Sequence, residues 1–118
     1  MTPIPFMLPD IGLREIAGSI YLTDRFIVID IENALLGAFD KDRSTIEVEP
    51  GALAEVRLEK GLFKDRIILR PNGLELLEAI PGDNTSEVAL VIWKIYRKRT
   101  QVLVEEARRR VRSDAESG

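Results

Sequence analysis

Two acidic stretches come nearest to chemistry. In "DKDRS", Asp40, Asp42 and Ser44 stand at the first three ligand positions of a calcium loop. The sixth position is Thr45 where such a loop needs glycine, and the twelfth is Gly51 where it needs a bidentate glutamate. That register excludes a calcium site. Glu47 and Glu49 share one face of an alternating segment, the arrangement from which paired carboxylates act as acid and base. The same alternation puts Ile46 and Val48 on the opposite face, so the pair reads as the solvated side of a strand. The chain holds no histidine and no cysteine, which removes the commonest general base, thiolate zinc sites and thiol nucleophiles. Neither a Walker nor a dinucleotide glycine loop is present. No catalytic residue, metal site or cofactor is expected, and the chain reads as a non-enzyme.

The basic residues are distributed unevenly. The net charge is −3, yet Lys94 to Arg112 holds eight basic residues and two acids, Glu105 and Glu106, so the remainder is strongly acidic. This segment could face a polyanion, another copy of the chain, or only water. Arg108, Arg109 and Arg110 are consecutive and point three ways around a helix, which argues for a solvated helix over a nucleic-acid surface. The second feature is "RLEKGLFKDRIILRP", Arg57 to Pro71, where Leu62 and Phe63 stand beside Gly61 among Lys60, Lys64 and Arg66. If the tip folds back, Phe63 plugs the core; if it projects, it is an anchor for a partner or for a membrane surface. The candidate partner-binding residues are therefore Lys60, Leu62, Phe63, Lys64, Arg66, Lys98, Arg109 and Arg112.

The elements that must position them are mostly strands. Arg14–Leu22 and Phe26–Ile31 form a hairpin turning at Thr23 to Arg25, and Phe26-Ile27-Val28-Ile29 is continuous enough to be covered on both faces. "TIEVE" is a strand ended by Pro50-Gly51. Val56–Glu59 and Arg66–Arg70 form a second hairpin bending at Gly61 to Asp65. Arg70 to Gly73 is a turn, "LELLEAI" is a helical turn or a strand, and Pro81 to Asn84 is a break. A strand is expected over about Glu87 to Ile95, rich in β-branched and aromatic residues, with Trp93 and Tyr96 closing the core. From Thr100 the spacing is helical to about Arg112. Thr100, Leu103, Val104, Ala107 and Val111 form one stripe, with Lys98, Glu105, Arg109 and Arg112 opposite. Residues 1–13 read as an extension and 114–118 as a frayed tail on one domain of 118 residues.

The order of these elements resembles the bacterial pleckstrin-homology-like and GRAM-like domains. "GSIYLTDRFIVID" is similar to their first hairpin, "LAEVRLEKGLFKDRIILRP" to their middle hairpin, and "IPGDNTSEVALVIWK" with the basic helix to their last strand and closing helix. The resemblance implies a mainly β fold, a partly open barrel or sandwich of about seven antiparallel strands capped by one C-terminal amphipathic helix. It also implies binding or ring-like self-assembly in place of catalysis. Phosphoinositide-binding members carry several bases at the first hairpin loop, whereas Thr23-Asp24-Arg25 offers one base offset by one acid.

The expected function is thus a non-catalytic module for protein binding or self-association, with the chain itself as a possible partner. Peripheral binding to an anionic membrane through the Gly61 to Lys64 tip is the alternative, and nucleic acid is disfavoured. The N-terminus lacks a basic region followed by an apolar stretch, and the longest apolar run, Val88 to Trp93, falls far below the roughly 20 residues that cross a bilayer, so a cytoplasmic location is expected.

Overall fold

The computed structural model describes residues 2–9, 14–35, 41–80 and 86–117. Seven strands, β1 (Ile4–Met7), β2 (Arg14–Leu22), β3 (Ile27–Leu35), β4 (Lys41–Val48), β5 (Leu53–Glu59), β6 (Lys64–Pro71) and β7 (Val88–Trp93), make one open antiparallel sheet. Their order is β4-β3-β2-β1-β7-β6-β5. One helical turn, α1 (Glu75–Ala79), follows β6, and α2 (Arg97–Ser117) follows β7 through a 3-10 turn at Lys94–Tyr96. The expected break at Pro81 to Asn84 lies outside the described residues.

Alternation writes the core. Ile16, Ile20 and Leu22 of β2, Ile27, Ile29 and Ile31 of β3, Ile67 and Leu69 of β6, and Val88, Leu90 and Ile92 of β7 all point to one buried face. The helical stripe closes that face as expected: Thr100, Leu103, Val104 and Ala107 are buried, Val111 packs beside them, and α2 lies against β5 and the 3-10 turn Pro50–Ala52. Val28, on the outer face, is buried as well, whereas Asp30 and Glu32 farther along that face are only half-buried, so β3 is covered on both sides at its start alone.

The structure refines the sequence reading at four places, each for a local reason. The extension contributes β1, whose Ile4 and Phe6, with Leu8 beyond, are buried at period two. Its prolines disguised it. Pro5 pairs with Ser19 of β2, while β1 meets β7 only at Met7 opposite Val91, so the missing N–H falls where a second neighbour is not laddered. "LELLEAI" is then α1 and not a strand. In β5, Leu53 and Val56 are three apart yet both buried, because a bulge at Ala54 resets the alternation. The segment from Lys41 to Ser44 is extended strand, while Asp40 lies outside the described residues.

β7 ends at Trp93 and α2 runs from Arg97 to Ser117, longer at both ends than the spacing indicates. The helix is tied at both ends. Arg97 Nη2 donates to Gly61 O at 2.7 Å, and Arg110 Nη1 to Thr23 O at 2.6 Å. Asp114, assigned to a frayed tail, sits in the helix against Gly51.

Gly18 is required by close approach. A Cβ there would lie 2.0 Å from Asp30 O and 2.8 Å from Phe6 Cζ, because the Phe6 ring occupies the space above the glycine. Gly18→Ala is expected to cost about 3 kcal/mol through forced displacement of β3 and Phe6. A urea midpoint within error of the wild type would contradict this placement.

Candidate docking corner

Asp65 occupies the first inward position of β6, in line with Ile67 and Leu69, and is fully buried. A carboxylate there needs partners. Arg97, at the start of α2, supplies them: Nε donates to Oδ2 at 2.8 Å and Nη2 to Oδ1 at 2.7 Å. Oδ1 also accepts from the Gly61 backbone N–H at 3.1 Å. The Arg97 hydrogen bonds, helped by the Gly61 N–H and the nearby positive charges, hold the Asp65 carboxyl below the usual carboxylate range despite burial. The sequence reading missed this pair. Asp65 belongs to the strand and not to the bend, where it was expected.

The pair fixes what surrounds it. The Lys94 N–H donates to Phe63 O at 3.0 Å, Lys64 pairs with Trp93 in the ladder, and Lys64 Nζ lies 4.7 Å from the Trp93 ring centroid. The β5–β6 turn and the β7–α2 junction thereby form one corner. On it Leu62 is 75% exposed, Phe63 69%, Trp93 48% and Ile95 85%. Leu62 and Phe63 therefore project and do not plug the core. Trp93 is likewise exposed and does not close the core as expected, because the inward place at the end of β7 belongs to Ile92; Tyr96 is half-buried against the core.

Of the residues singled out in the sequence, Lys60, Leu62, Phe63 and Lys64 share this turn, Arg66 follows on the outer face of β6, and Lys98 is on the first turn of α2. All are exposed. Among the described residues, Lys60, Arg66, Lys94 and Lys98 form no ion pair and Lys64 meets only the indole. Arg109 and Arg112 do not belong to this group. They lie on α2 about 18 and 22 Å along the helix from Arg97 at 1.5 Å per residue. Arg109 Nε donates to Glu106 Oε2 at 2.8 Å and Arg110 Nε to Glu106 Oε1 at 3.1 Å, which brings the Glu106 carboxyl down to about 2.

The acids beside the corner are engaged. Glu59 is held by Arg57, whose guanidinium also grips Glu87 at 2.8 and 3.1 Å. A separate polar cleft of about 530 Å³ lies at the far end of α2, lined by Asp24, Arg25, Glu49, Arg109, Arg110 and Asp114. Its arginines 109 and 110 are committed to Glu106, and Arg110 also to the Thr23 carbonyl. Among the described residues no three His, Cys, Asp or Glu side chains gather as a metal would require, and no helix is long and apolar enough to cross a membrane.

Comparison of the chain with protein-family models, curated proteins and solved structures found no match.

Removing Asp65 strips Arg97 and the Gly61 N–H of their acceptor. Asp65→Ala is expected to cost about 2–3 kcal/mol at neutral pH. Because the folded carboxyl lies below its unfolded value of about 3.9, its contribution is complete above roughly pH 5 and is lost as pH falls through the folded value. Urea melts from pH 7 to pH 2 should show wild type and Asp65→Asn converging in acid, and a constant gap would exclude the charged pair as its source.

Proposed function

We propose that the chain is a non-catalytic, cytoplasmic assembly module of the pleckstrin-homology-like kind, and that it associates with itself through the β4 edge. The open sheet supports this most directly. Its two edge strands differ: β5 has α2 packed on it, whereas among the described residues β4 pairs with β3 alone. A groove of about 410 Å³, lined by Phe26, Ile46, Val48, Leu76 and Ala79, separates β4 from α1. Such an edge offers unpaired backbone groups to a further strand.

The sequence of β4 with Glu49, the residue after it, complements itself. Two copies placed antiparallel about Thr45 set Lys41 and Arg43 of one opposite Glu49 and Glu47 of the other, twice over by two-fold symmetry. Asp42 opposite Val48 is the mismatch, near the ends of the pairing. The docking corner does not suit the same partner, since two copies meeting there would press like charges together.

Sedimentation velocity provides the test. Wild type is expected to be dimeric at micromolar concentration. Glu47→Arg with Glu49→Lys should make both halves of β4 basic and yield monomer, while adding Lys41→Glu and Arg43→Glu restores the complementary order and the dimer. A wild type that stays monomeric at every accessible concentration, or a restored order that fails to reassociate while still folded by circular dichroism, would defeat the reading.

A further inference from the structure

The exposed corner calls for an occupant other than a second copy. It carries four large apolar side chains, Leu62, Phe63, Trp93 and Ile95, exposed together where the β5–β6 turn is bonded to the start of the closing segment. Around them stand Lys60, Lys64, Arg66, Lys94 and Lys98, on a chain whose net charge is −3. Of the neighbouring acids, Asp65 is paired with Arg97, and Glu59 shares Arg57 with Glu55 and Glu87, so the five cations outnumber the acid charge left at the tip. Free positive charge is thus gathered around the apolar tip of a molecule that is acidic elsewhere.

We propose that this corner docks on the surface of an anionic lipid bilayer, with Leu62 and Phe63 entering the boundary between headgroups and acyl chains. Trp93 would sit at headgroup depth and the lysines against lipid phosphates and carboxylates. Three physical features favour a bilayer over a folded partner. Tryptophan is suited to the interface, where its ring is half apolar and half polar. Lysine stems can lie along an apolar surface while their ammonium groups reach water and headgroups. Each cation near an anionic leaflet contributes an attraction of about 1 kcal/mol, so five amount to useful binding without any stereospecific pocket.

The turn is also pre-organised for insertion. Arg97 holds Gly61 O, Asp65 holds the Gly61 N–H, and Lys94 holds Phe63 O, so little ordering remains to be done when the tip is buried. Charge opposition gives orientation as well. The acidic body is repelled by the same leaflet that attracts the corner, which leaves the tip-first approach as the favoured one.

Trp93 is the only tryptophan in the chain and lies within the proposed contact, so its emission reports insertion directly. Vesicles of phosphatidylcholine with about 30% phosphatidylserine are the probe, at about 50 mM and about 500 mM salt, with phosphatidylcholine alone as comparison. Binding by sedimentation and a blue shift of Trp93 are expected with the anionic vesicles at low salt. Both should weaken at high salt and be absent with phosphatidylcholine alone. Leu62→Ser with Phe63→Ser, both at exposed positions, should keep the fold and the dimer but weaken vesicle binding at least about tenfold. Absence of sedimentation and shift at low salt would overturn the proposal. So would vesicle binding that the double variant leaves unchanged, or polyglutamate binding as tight as vesicle binding with no shift, which would assign the corner to an acidic protein. The Trp93 shift reads insertion of a single tip whether or not β4 edges pair, so its absence at saturating anionic lipid bears on this proposal alone, while sedimentation also gains from pairing.

Discussion

The arrangement of this domain depends on one buried ion pair. β6 supplies an inward row of Leu69, Ile67 and Asp65, and the third member is a carboxylate where alternation would place an aliphatic residue. Burying it unpartnered would be costly, so the end of the sheet is workable only if a cation arrives there. Arg97 arrives because the chain bends sharply after Trp93 and starts α2 at that point. Its planar fork meets both carboxylate oxygens and reaches the Gly61 carbonyl, a bidentate geometry that lysine would not reproduce. Two segments distant in sequence, the Gly61–Asp65 turn and the start of α2, are joined by this pair. With the inward places at that end occupied by Asp65 and Ile92, Trp93 and Ile95 are left outside.

The same logic explains the basic C-terminal segment. Arg97 neutralises a core carboxylate, Arg99 Nη2 donates to the Pro3 carbonyl at 2.7 Å, Arg109 and Arg110 hold Glu106, and Arg110 also fastens the β2–β3 turn. Arg97, Arg99 and Arg110 tie α2 to the rest of the molecule and Arg109 is held by Glu106 within the helix, so these four are not a free polyanion surface. Two clusters of uncommitted charge, of opposite sign, stand out among the described residues. The cations that ring the apolar corner lie at the β6–β7 end of the sheet. Glu47 on β4 and Glu49 just after it, both exposed, and Glu75 on α1 border the groove at the other edge. A run of charge read along the chain could not reveal this partition, because pairing is decided by contacts across dozens of residues.

The parts legible in sequence were those governed by short-range periodicity. The β2–β3 hairpin, the solvated face of Glu47 and Glu49, the middle hairpin and the Thr100 to Val111 stripe all follow from spacings of two or of three to four residues. What escaped depended on partners. β1 has the right alternation but is interrupted by prolines, and only the pairing with β2, with β7 touching at Met7, shows that they are harmless there. Asp65 did leave a trace, since it shares parity with Ile67 and Leu69 and a charged residue on an apolar face asks for a partner. Nothing local identifies Arg97, 32 residues on, as that partner. Trp93 was expected inward because aromatics near a strand end usually close cores, yet at β7 the place is taken by Ile92.

The two proposed surfaces are compatible because the sheet places them apart. β4 is one edge of the sheet, and the corner is built from the ends of β5, β6 and β7 on the other half. Pairing at β4 therefore leaves both corners of a dimer uncovered. A single corner presents only a small apolar tip, and insertion of that size gives reversible attachment. Where two tips reach the same leaflet, the second attachment becomes intramolecular and the combined residence exceeds that of either tip without a new contact. Assembly would then act as the control on membrane attachment. On these two proposals the single copy would be a weak visitor and the pair a stable one, and the concentration at which β4 edges meet would set the concentration at which the domain stays at the surface.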